Sequence, residues 1–80
     1  MSLHLAYWHS GGDMMCAGGI ILSPADVACL HDLHLDEARA ATAAGDRSLG
    51  ARALKLAMEL STAAEAARRW RRASVRQAVT

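Results

Sequence analysis

The segment Ser23-Pro24-Ala25-Asp26 constrains this chain more than any other, because each of its residues favours the start of a helix. The serine side chain can accept from the first free amides. Proline fits the first helical position, where no N–H is needed, and the aspartate faces the positive end of the helix dipole. No second proline follows. A helix is therefore expected over 24–44, with Gly45 supplying a left-handed stop. Asp46 or Ser48 can cap a second helix over 47–77. A connection as short as Gly45 to Ser48 folds the two back on each other as an antiparallel helical hairpin.

Upstream the pattern changes period. Leu3, Leu5 and Tyr7 alternate with His4, Ala6 and Trp8, as in a half-buried strand. Ser10-Gly11-Gly12-Asp13 follows as a tight turn, and Met14 to Ala17 returns as a second strand. Gly18-Gly19 reads as a bulge or bend before Ile20-Ile21-Leu22. The expected fold class is α+β and mostly helical. One small domain over 1–80 would hold an N-terminal β-hairpin over 1–22 and the two-helix hairpin.

The 80 residues leave no room for a second core. Of the hydrophobic residues 18 are alanine, and Leu, Ile, Val and Phe together number only 15, so the core must be thin. Placing side chains at roughly 100° each puts Leu49, Ala53, Leu56, Leu60, Ala63 and Ala67 in one stripe of the second helix. Val27, Leu30, Leu33, Ala38 and Ala41 line the facing side of the first. Alanine on both stripes lets the axes approach closely. So few large side chains favour a homodimer or a larger complex. At ~1.5 Å per residue the second helix outruns the first from about Arg68, and that overhang is expected to be solvated or to meet a partner.

A near-neutral total of +1 conceals a dipolar chain. Residues 1–37 hold five acids and no Lys or Arg, whereas residues 38–80 hold all nine basic residues against three acids. No apolar run is long enough to span a membrane, and Met1 to Tyr7 lack the basic start and apolar block of a secretory leader. Reduced thiols at Cys16 and Cys29, and a cytoplasmic location, are the corresponding expectations.

The first candidate site is the cluster Arg68, Arg69, Trp70, Arg71, Arg72, with Arg76 beyond it. Guanidinium groups bind phosphates and carboxylates bidentately, and Trp and Arg are the residue types that anchor protein interfaces. The same cations also suit a solvated helix C-terminus, where Glu65 can pair with Arg68 and Arg69. Trp8 and the methionines beside the glycine turn are further contact candidates, while Tyr7 is expected to cover the open end of the helical hairpin. His31 and His34, three apart on one helical face, are weak metal candidates with Cys16, His4 or His9; no Cys-x-x-Cys spacing supports them. As structural residues, these histidines would be hydrogen-bonded between the β-hairpin and the helix.

Neither glycine pair has the strand–loop–helix context or the lysine of a phosphate-binding loop, and no nucleophile–base pattern stands out. The expectation is a non-enzymatic protein–protein interaction module without a cofactor. It would be a phage or bacterial accessory protein that occludes or bridges surfaces of a protein complex, in some cases a nucleic-acid-processing one. Inhibitors of CRISPR effector complexes are a category that fits, and they share no common signature. Direct nucleic-acid binding through the Arg/Trp end is the alternative, followed by a metal-dependent structural module.

Overall fold

A computed structural model describes residues 5–79. Strands β1 (Tyr7–Ser10), β2 (Asp13–Cys16) and β3 (Ile20–Leu22) precede helices α1 (Pro24–Ala43) and α2 (Arg47–Val79). The α+β class and the helical hairpin are as expected. The β-hairpin is larger than expected: Ile20–Leu22 pairs antiparallel with β2, which makes a three-stranded sheet in the order β1-β2-β3. Gly18 and Gly19, both at positive φ, belong to a turn in which the Gly19 N–H donates to the Cys16 carbonyl (3.1 Å), instead of a bulge within one strand. The strand expected from Leu3 starts at Tyr7, and Leu3 and His4 lie outside the described residues.

The helix boundaries follow their caps. Ser23 Oγ accepts from the Asp26 N–H (3.1 Å), and the Ser23 N–H donates to Asp26 Oδ2 (3.2 Å), which closes a reciprocal capping box. At the other end of α1, Gly45 takes φ 81°, and the Gly45 and Asp46 amides donate back to Thr42 and Ala41. That is a Schellman stop, and a side chain on its left-handed residue would be strained. Asp46 then caps α2, its Oδ1 accepting from the Leu49 N–H at 3.0 Å.

The helices are joined by a seam of small residues. Ala41, Gly50, Ala53, Ala57, Ala63 and Ala67 are buried. Leu60, at 0% exposure, is the only large side chain fully buried among the described residues. Two stripe positions differ from the expectation, since Leu49 is exposed and Leu56 only half-buried, with Gly50 and Ala57 in their places. On α1, Leu33 is 50% exposed and its neighbour His34 only 8%. On α2 the seam has turned toward the small residues Gly50 and Ala57, which let the axes approach, whereas on α1 it is His34 that turns inward.

The sheet covers one side of this hairpin. Met14, paired with His9 and Leu22, is buried against Leu60, Ala63 and Ala67, and Tyr7, Leu22, Val27 and Leu30 surround that cluster. Strand alternation sends Trp8, Met15 and Ile21, which are cross-strand neighbours, to the outer face.

Candidate functional site

The end of α2 is not the bare overhang that its length implied. The turn between β1 and β2 reaches it: a Cβ on Gly12 would lie 2.5 Å from Cγ of Arg71, and one on Gly11 3.4 Å from the Trp70 indole. Glycine at position 12 thus permits the aliphatic stem of Arg71 to lie directly on the turn. Part of Trp70 is covered by that contact and the rest is free, leaving the side chain 51% exposed. The basic cluster therefore has an intramolecular seat.

The surrounding cations are partly organised by one carboxylate. Glu65 accepts a 2.7 Å hydrogen bond from Arg68 and lies 3.4 Å from Arg69 and 3.7 Å from Arg72. The Arg68 hydrogen bond, then the charges of Arg68, Arg69 and Arg72, hold its carboxyl below the usual glutamate range. All four side chains are solvent-accessible, so these pairs orient more than they stabilise. Arg71 and Arg76 form no ion pair among the described residues. Five guanidinium groups against one carboxylate leave this end of the molecule strongly cationic.

Trp8 is half-buried and lies on the same flank of α2, in a groove that Thr62 and Ala66 also line. Trp70 follows Ala66 by one helical turn, so the groove and the Trp70 indole lie along one side of the helix. The groove, about 510 Å³ in volume, extends away from Trp70 toward Leu5, Lys55 and Met58. Sequence reasoning missed Leu5 and Met58 as surface features. The i, i+4 series Met58, Thr62, Ala66, Trp70, which avoids the alanine seam, is the signal that could have found them.

The histidine candidates separate. His34 is in the core, its Nε2 2.7 Å from the Tyr7 hydroxyl. Its Nδ1 is buried without a hydrogen bond and lies 3.7 Å from Glu37 Oε2. A tautomer with the proton on Nδ1 lets Tyr7 donate to Nε2 and points the N–H at the carboxylate; the opposite tautomer would aim a lone pair at it. Burial is the main cause that pushes the Tyr7 hydroxyl above its ordinary pKa, followed by Cys16, Glu37 and Glu59. Both cysteines are free thiols. Among the described residues no three His, Cys, Asp or Glu side chains come together to hold a metal, so His31, His34 and Cys16 are not assembled as a ligand set. No helix there is long and apolar enough to cross a membrane. Comparison with family models, curated proteins and solved structures found no match.

Proposed function

We propose that the chain is a non-enzymatic binding module, a small inhibitor or accessory protein that docks on a partner protein complex through the end of α2 and occludes the surface it covers. One observation carries this reading: Trp70 rests on the Gly11-Gly12 turn yet keeps half its surface free. A large aromatic already held in place, ringed by guanidinium groups, loses little freedom on binding and belongs to the residue types that dominate interfaces. The partner surface that complements it is acidic with an apolar recess for the indole. Inhibitors of CRISPR effector complexes fit this description as a class.

The test compares wild type with the double variant Arg69→Glu/Arg72→Glu as baits in a host-like lysate treated with nuclease. Both side chains are exposed, so helicity should be retained. The reading requires a defined protein complex on the wild-type bait that the double variant loses. Equal capture by both baits would remove the basic end from the mechanism.

The cationic excess favours one second reading, contact with a nucleic-acid backbone. It predicts that log affinity for a generic duplex falls steeply and linearly with log salt, and a flat response would dismiss it.

A further inference from the structure

The groove on the other half of α2 is a separate surface. Its rims are Leu5 and Trp8 on one side and Met58 on the other, with Lys55 and Glu59 beside Met58. Met58 is 63% exposed and also borders a second shallow depression lined by His31, Leu35 and Leu54, so it forms a ridge between two hollows. An apolar groove with an exposed apolar ridge beside it is self-complementary in kind, since the ridge of one molecule offers apolar surface to the groove of another.

The charges say the same. Lys55 and Glu59 stand one turn apart on this flank, and neither forms an ion pair among the described residues. Two α2 helices laid antiparallel about a two-fold axis passing between these residues would set each Lys55 against the other molecule's Glu59. Such an isologous contact satisfies both charges twice with one patch. The thin core gives the pairing a driving force, because Leu60 is the only large side chain fully buried within the described monomer.

We infer that this chain forms a two-fold homodimer through the Leu5–Trp8–Met58 groove, with each Met58 seated in its partner's groove and the Lys55 and Glu59 pairs crossing the axis. Trp70 lies 12 residues beyond Met58, roughly 18 Å along the helix, so the contact leaves the basic end uncovered. In an antiparallel pair the two basic ends point in opposite directions, which allows one dimer to bridge two partner surfaces.

Sedimentation velocity of the full chain over about a hundredfold range of concentration tests this, with circular dichroism on every variant to check the fold. The wild type should sediment at twice the chain mass. Lys55→Glu, which places like charges across the axis, should weaken the dimer about tenfold or more, and Met58→Asp should abolish it. Lys55→Glu/Glu59→Lys should recover the wild-type dimer, since the swap restores both pairs. A wild type monomeric throughout, or single variants that dimerise as well as wild type, would overturn the inference. So would a monomer that dimerises only after removal of residues 1–4, which would assign the groove to the chain's own first residues.

Discussion

The Tyr7 hydroxyl and Nε2 of His34 are 2.7 Å apart, with the rings edge-on and their centroids separated by 5.7 Å. This bond ties the first strand to the middle of α1 across 27 residues of chain, and it gives a buried imidazole a polar partner.

Replacing Tyr7 with Phe should therefore cost more than an ordinary surface hydrogen bond. It leaves both His34 nitrogens without a hydrogen bond, a loss of about 1–3 kcal/mol by urea unfolding. The variant should also change the alkaline limb of the stability curve. Because the folded state holds the Tyr7 proton more tightly than the unfolded one, this contribution is fully present below the ordinary value of 10.0 and is lost as pH rises through the folded pKa. Tyr7→Phe should lack that component; identical pH dependence in the two proteins would contradict it.

Gly12→Val probes the seat of Trp70. The new side chain would meet Cγ and Cδ of Arg71, atoms of the stem and not its mobile head, and would push Arg71 and Trp70 outward. In a Trp8→Phe background, where Trp70 is the only remaining indole, fluorescence should shift to the red. Stability should fall by about 1–3 kcal/mol through overpacking.

Leu60→Ala tests how thin the core is. The usual cost of such a truncation is about 2–5 kcal/mol, set against a typical total of about 5–15 for a whole domain. With Leu60 at 0% exposure among alanines, the loss should lie in the upper part of that range. Thermal circular dichroism at fixed protein concentration should show a substantially unfolded population near room temperature.

Glu65→Gln separates the carboxylate from the cations it gathers. The folded state depresses the Glu65 pKa, so its contribution is present above the unfolded value of 4.5 and disappears as pH falls through the folded one. The glutamine variant should lack this acid-dependent component. Freed from their shared anion, Arg68, Arg69 and Arg72 should bind an acidic partner more tightly and with a steeper salt dependence, measurable by titration at several ionic strengths.

The helix boundaries were legible because they are local. Ser23 and Asp26 satisfy each other within one turn, and Gly45 stops α1 whatever it packs against. The rotation of the helices was harder to read. Where alanine occurs on most sides, the difference in hydrophobicity between candidate faces is small, so Leu33 and Leu49 attract a prediction that spacing alone cannot correct. His34 turns inward because a strand far away in the chain brings Tyr7 to it. The basic cluster itself was visible in the sequence. Its seat was not, since Gly12 and Arg71 are 59 positions apart and nothing local marks either as the other's neighbour.

The alanine seam between α1 and α2 also limits how this protein can change. A seam made of alanine and glycine leaves little to trim, and enlarging a residue such as Gly50, whose Cβ would meet Thr42 and Ala38, presses against the facing helix. Sequence drift is thereby directed to the flanks, where Met58, Trp8, Trp70 and the arginines lie. A lineage under pressure to meet new partners could remodel those surfaces freely while the joint beneath them stays constant.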